Sequence, residues 1–334
     1  MSDWENIEAL LYSGQPENME LALLLAKGEG KDLRPRFKQL QDCLAFYEEQ
    51  FRALYSFPKL FDQIRAKGLQ LSGLGLFELP DCLQALAPLA KEVNISRNKL
   101  RKFPPFLLHF QQAKTFNLAH NQLAQLPDHF WSLRQIKALH LEGNLLIRLP
   151  ERIERLHLLE ELSISFQRAS SLPASLAQLQ QLKGLFIQFD GLDRFPMVIF
   201  ELRNLERLIL QGKGLLILPQ ELGQLQKLHF LALREAPLLE LPSSLALLPH
   251  LNTLHLVGLS RLGQLPEFIC ELPQLEALNL NDTPLNGLPK NLAGWQNLRA
   301  LSLFGTGIQP HDEHQWQAKI QTAIGHLEDL IWDF

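Results

Sequence analysis

The chain has 334 residues, 46% of them hydrophobic, with 32 basic and 36 acidic residues and a formal net charge of −4. A chain this long and apolar can bury a continuous core. The near balance of charge argues against a nucleic-acid partner, which is normally met by a basic stripe.

Residues 1–67 carry no internal period and read as helices separated by breakers. Ser2 or Asp3 is placed to cap a first helix through Leu11, which Gly14 ends. Pro16 starts a second helix through Lys27, stopped by Gly28 and Gly30. A long helix is predicted over about residues 32–56, with Leu33, Phe37, Leu40, Leu44, Tyr47 and Phe51 at helical spacing. Pro58 begins a last helix that ends at Gly68. The expectation is a small helical domain that caps the remainder of the chain.

From residue 69 an apolar-proline pair recurs, from Leu79-Pro80 through Phe103-Pro104 and on to Leu288-Pro289, with gaps of 23 or 24 residues between prolines. A fixed period of this length marks a solenoid of stacked units. Each unit also holds a Leu-x-Leu pair, such as Leu139/Leu141, Leu162/Ile164 and Leu208/Leu210; there are eleven of these, ending at Leu301/Leu303. Leu-x-Leu is a short strand with one buried face, and proline suits the first position of a helical turn. Each unit is therefore predicted as strand, turn and short helix, stable only when stacked on its neighbours.

One unit, running from Ile136 through Leu139, Leu141, Asn144 and Leu146 to Leu149-Pro150, resembles the leucine-rich repeat consensus L-x-x-L-x-L-x-x-N-x-L. The match covers about three quarters of the chain and is similar to the 23-residue Leu-Pro type of intracellular and bacterial repeats. The resemblance implies an α/β solenoid: a right-handed leucine-rich repeat arc with a parallel β-sheet on its concave face. The domains expected are a helical cap over residues 1–67, the eleven-unit repeat domain over 68–310, and a C-terminal capping helix over 311–334. That last helix is predicted from Ile320, Ala323, Ile324, Leu327, Leu330 and Ile331, with Trp316 and Trp332 nearby.

Two irregularities stand out. The consensus asparagine is present as Asn98, Asn121 and Asn144 but is replaced by Gln167, Asp190, Lys213, Ala236, Leu259, Thr283 and Thr306, so altered turns are expected in the later units. An extra residue between Leu256 and Pro266 predicts a bulge near Leu259–Arg261.

Signatures of catalysis are missing: there is no Gly-x-Gly-x-x-Gly, Walker loop, His-Glu-x-x-His or Gly-x-Ser-x-Gly. All eleven histidines lie at position 109 or later, so the helical segment has none. Cys43, Cys82 and Cys270 are scattered and odd in number, and are expected to be reduced core residues. His311-Asp312-Glu313-His314 has ligand-like spacing but sits where acidic residues favour a helix start. No catalytic residue, cofactor or metal site is assigned. The N-terminus has no secretory pattern and the longest charge-free stretch lies inside the repeats. A cytoplasmic location without membrane insertion is therefore expected, with signal-independent export left open.

The open positions around Leu-x-Leu are polar at both ends of the array. In the middle they include Phe166, Phe186, Phe189, Ile209 and Phe230, with Arg207, Gln188, Gln211, Arg234 and Glu235 as a polar rim. An exposed apolar patch usually marks an interface, and aromatic residues are frequent hot spots. The reading is a non-enzymatic scaffold that binds a protein or peptide there. The alternatives are a secreted bacterial effector imitating host leucine-rich repeat proteins, and an enzyme with an unfamiliar site in the helical segment.

Overall fold

The structure is a computed structural model describing residues 3–51, 56–166, 171–189, 195–308, 320, 324 and 329–331. The chain divides into two compact units, Met1–Asn144 and Leu145–Phe334.

The first unit opens with helices α1 (Asp3–Leu11), α2 (Pro16–Gly28), α3 (Arg34–Phe51) and α4 (Phe57–Lys67). The long helix stops before residue 56 because Ser56 is extended and its side chain caps α4. Leu40, Cys43 and Tyr47 of α3 and Leu60, Phe61 and Ile64 of α4 are buried, one apolar face from each helix. Four strands follow: β1 (Leu69–Gln70), β2 (Glu92–Asn94), β3 (Thr115–Asn117) and β4 (Ala138–Leu141). They pair in parallel in chain order. Tyr12 joins the helices to the first repeat: its hydroxyl donates to the Ala85 carbonyl (2.7 Å) and accepts from Arg36 Nε (2.8 Å). Burial pushes the Tyr12 phenol up to about 12, so it stays a donor.

The second unit holds β5 (Glu161–Phe166), β6 (Gly184–Phe189), β7 (Arg207–Gln211), β8 (Phe230–Arg234), β9 (Thr253–Val257), β10 (Ala277–Asn279), β11 (Ala300–Ser302) and β12 (Asp329–Ile331). They too pair in parallel, each with the next in the chain.

The segments after each Leu-Pro are 3-10 helices, five residues long in most units, rather than α-helices. The proline carbonyl accepts the first i→i+3 bond, as in Phe130 N to Pro127 O (2.9 Å) and Leu222 N to Pro219 O (3.2 Å). A 23-residue unit leaves too few residues for two α-turns on the return path, and the tighter 3-10 turn covers the same length with fewer. The leucines on both sides of each unit, such as Leu208, Leu222, Leu225 and Leu228, are fully buried. Each such side chain contributes about 1.5–3 kcal/mol.

The asparagines form a ladder along the turns of the first unit. Asn121 Oδ1 accepts from Leu100 N (3.1 Å) while its Nδ2 donates to the carbonyls of Ile95 (3.0 Å) and Leu118 (3.1 Å). Thr283 does the same work with one hydroxyl: it accepts from Leu259 N (3.1 Å) and donates to Leu256 O (2.7 Å). Ala236 and Leu259 fill the equivalent space with hydrocarbon. The expected change of turn is therefore not general. Glu235, Gly258 and Asp282 keep the left-handed turn (φ 53°, 64° and 54°) seen at Arg97 and His120. The residue added after Leu256 is taken up beyond the strand, where Leu262 N bonds Leu259 O (3.1 Å), and β9 keeps its register with β8.

At the C-terminal end, Ile320 and Ile324 are buried and joined by an i→i+4 bond of 2.7 Å. Leu330 and Ile331 do not continue that helical stripe, contrary to expectation: they lie in β12, paired with Leu301 and Ser302 of β11. The open edge of β11 offers backbone donors and acceptors that an added strand satisfies and a helix does not. Trp316, Ala323, Leu327 and Trp332 lie outside the described residues, as does the His311–His314 motif.

Candidate interaction face

Alternation along β5–β9 sends one set of side chains into the core and the other outward. The register fixes the outward rows. Glu161, Gly184, Arg207, Phe230 and Thr253 form the first; Ser163, Phe186, Ile209, Ala232 and His255 the second; Ser165, Gln188, Gln211, Arg234 and Val257 the third.

Two expected members of the patch are not on this face. Phe166 and Phe189 are 2% and 4% exposed. They pair across β5 and β6 and stack with centroids 6.3 Å apart at 18°. The cause lies in the backbone. In other units the equivalent residue is left-handed, at Arg97, His120, Gly143, Glu235, Gly258, Asp282 and Gly305, and the strand ends before it. In β5 and β6 the strand runs one residue further, so its parity turns the side chain inward. Phenylalanine fits an extended strand and not a left-handed turn. Just past the end of β7 the neighbour of Phe189 is Gly212, at φ 154°, where a Cβ would collide with the Phe189 carbonyl oxygen.

The other three expected anchors remain on the open face, each half-buried: Phe186, Ile209 and Phe230. Phe186 pairs with Ile209, Ile209 with Ala232, and Ala232 with His255. The Phe230 and His255 rings meet edge to face, 5.1 Å between centroids. Burial and then the charge of Arg234 hold His255 below its ordinary pKa, so its ring is neutral near pH 7. The result is a continuous apolar row across four strands.

The rim is partly tied down. Arg207 Nη2 bonds Glu161 Oε1 (2.6 Å), and Gln211 Nε2 donates to Glu235 Oε1 (3.0 Å). Gln188 and Arg234 stand in the third row beside the apolar residues. Glu161, Ala232 and His255 are not part of the patch read from the sequence. Reading the Phe230 column and the Leu-x-Leu centre as full rows recovers all three.

The equivalent face of the first unit is polar and satisfies itself. Asn94 Nδ2 donates to Gln70 Oε1 (3.0 Å), Ser96 Oγ to Asn94 Oδ1 (2.8 Å), and the Ser72 and Ser96 hydroxyls bond each other (2.8 Å).

A cleft of about 640 Å³ lies between the helical segment and the first repeats, lined by Trp4, Lys31, Asp32, Arg36, Gln84 and His109 among others. Its charges are engaged: Asp32 pairs with Arg34, Arg36 with Glu8, and Lys31 lies 3.7 Å from the Trp4 ring centre. The lining residues include no nucleophile–base pair. Among the described residues no group of three or more His, Cys, Asp or Glu side chains could hold a metal ion, and no helix is long and apolar enough to cross a membrane.

The family model for the leucine rich repeat matches residues 88–146. Among solved structures, the chain is similar to a leucine-rich repeat protein of Leptospira interrogans, with 26% identity over 80% of this chain and 76% of that one and a TM-score of 0.58. It shares its fold with the plant peptide hormone receptor RGFR1 in complex with RGF2 (22% identity, TM-score 0.51), covering 71% of this chain and 39% of the receptor. It also shares its fold with an internalin of Listeria monocytogenes (14% identity, TM-score 0.50, 79% of this chain and 86% of that one). No curated protein matches the chain.

Proposed function

We propose that this leucine-rich repeat protein is a non-enzymatic interaction module that docks a protein or peptide on the open face of β6–β9. The observation that carries the reading is the half-buried set Phe186, Ile209, Phe230 and His255 on the face of β6–β9, lying around the fully buried Ala232, where the first unit's face is polar and self-bonded. Half-buried aromatic and aliphatic side chains have their backbones fixed by the sheet, so little conformational entropy is lost when a partner covers them. Gln188 and Arg234 supply hydrogen-bond donors at the edge of the row, which favours a partner with carbonyl or carboxylate groups flanking its apolar side chains. The same fold serves the plant receptor RGFR1, held in complex with RGF2.

The test is a parallel affinity capture from source-cell lysate with the native chain and a Phe186→Glu/Ile209→Glu double variant of unchanged circular dichroism. The expected result is a partner retained by the native chain and lost by the variant, since hot-spot truncations cost about 2 kcal/mol or more each. Equal capture by both would move the site off this face.

A further inference from the structure

Cys43 and Cys82 are 39 residues apart in sequence and meet in the first unit. Cys43 is buried on α3; Cys82 is half-buried in the first turn of the 3-10 helix Asp81–Leu86. The Cys43 thiol donates to the Cys82 carbonyl oxygen, 2.8 Å away, which sets its sulfur against the Cys82 backbone. The third cysteine, Cys270, is buried in the second unit.

We propose that Cys43 and Cys82 form a redox modification site, at which a hydroperoxide converts the thiol pair to a disulfide that ties α3 to the first repeat. Cys82 is the attacking group. It is the more exposed of the two, and its closeness to Cys43, together with a hydrogen bond involving the Leu83 amide, lowers its pKa against the opposing effects of burial, Asp42 and Asp81. The neighbouring Cys82, then burial, raises Cys43, which keeps it a thiol in the resting state. A thiolate is the nucleophile in such chemistry. Cys82 attacks one peroxide oxygen, cleaving the O–O bond. It becomes a sulfenic acid, and the other oxygen leaves as water or alcohol. The Cys43 sulfur then attacks the sulfenic sulfur, the S–S bond forms, and the S–OH oxygen leaves as water with the Cys43 proton. Two thiols are oxidised by two electrons and one peroxide is reduced.

The bond would close a loop running from the long helix to the first Leu-Pro turn, so the helical segment could not separate from the repeats. Tyr12 bonds both Ala85 and Arg36, so α3 and the 3-10 helix Asp81–Leu86 are already held together where the two cysteines meet.

The test uses the full chain treated with hydrogen peroxide and then denatured without reductant. The expected result is a fall from three free thiols to one, loss of two hydrogens in the intact mass, a Cys43–Cys82 peptide in the digest, and a raised melting temperature that dithiothreitol reverses. A Cys43→Ser variant should instead trap Cys82 as a sulfenic acid that dimedone labels, and Cys43→Ala provides the same readout if serine disturbs the buried site. Three persistent thiols, or a cross-link that involves Cys270 or a second chain, would overturn the assignment.

Discussion

Arg207 on β7 reaches across β6 to Glu161 on β5, Nη2 to Oε1 at 2.6 Å, over Gly184. A Cβ at 184 would stand 3.1 Å from that guanidinium nitrogen and 3.6 Å from Glu161 Cγ. The missing side chain is what lets an ion pair span a strand, and it closes one flank of the apolar row. Both partners are more than a third exposed, so the pair is worth at most about 1 kcal/mol. Gly184→Ala and Glu161→Gln should each change the urea unfolding free energy by less than about 1 kcal/mol. A larger loss would mean that the pair supports the fold and does not merely border the face.

Phe166 and Phe189 belong to the core and Phe186 to the open face, so truncation should separate them. Phe166→Ala or Phe189→Ala leaves a cavity in the stacked pair and should cost about 3–5 kcal/mol. Phe186→Ala should cost clearly less in stability while removing partner binding. Denaturant titration of the three variants side by side decides this; equal losses would contradict the division into core and face.

Gly212 has no room for a side chain. Its backbone is at φ 154° and faces the Phe189 carbonyl oxygen. Gly212→Ala should destabilise by more than the roughly 1–3 kcal/mol of a strained backbone alone, because the β6–β7 pairing must open to admit the methyl group. Hydrogen exchange at the amides of Gln188 and Gln211 would report that opening.

Thr283 and Asn121 hold equivalent turns by different chemistry. Thr283→Val keeps the shape but leaves the buried Leu259 amide without its partner, at a cost of about 1–3 kcal/mol. Asn121→Ala removes the acceptor for Leu100 N and the donor to two carbonyls, and should cost as much or more. Thermal unfolding of both variants measures this.

His255 gives the second unit a pH dependence of known sign. Its folded pKa lies below the ordinary 6.5, so the unfolded chain takes up this proton more readily than the folded one. Stability contributed by the neutral ring is full above about pH 6.5, falls as pH drops through that value, and levels off below the folded pKa. His255→Gln should remove this component, and Arg234→Gln should move the His255 titration upward in NMR spectra. An unchanged titration in Arg234→Gln would remove Arg234 as a cause.

Local periodicity alone is enough to establish the repeat, its eleven strands and which leucines are buried, because alternate residues of a strand face opposite ways and proline starts a turn. The stops of the helical segment at Gly14 and Gly68, both at positive φ, are equally legible in the chain. Where each strand ends depends instead on contacts across the sheet. Arg97 and Phe166 occupy the same place in the repeat, yet one turns left-handed into solvent and the other extends into the core, because Phe166 gains a stacked partner in Phe189 on the next strand. Packing also made Leu330 and Ile331 a strand, since the free edge of β11 supplied hydrogen-bond partners that no helical stripe reveals. And it brought Cys43 to Cys82, a meeting that depends on how α3 packs on the first repeat and that no spacing of cysteines encodes.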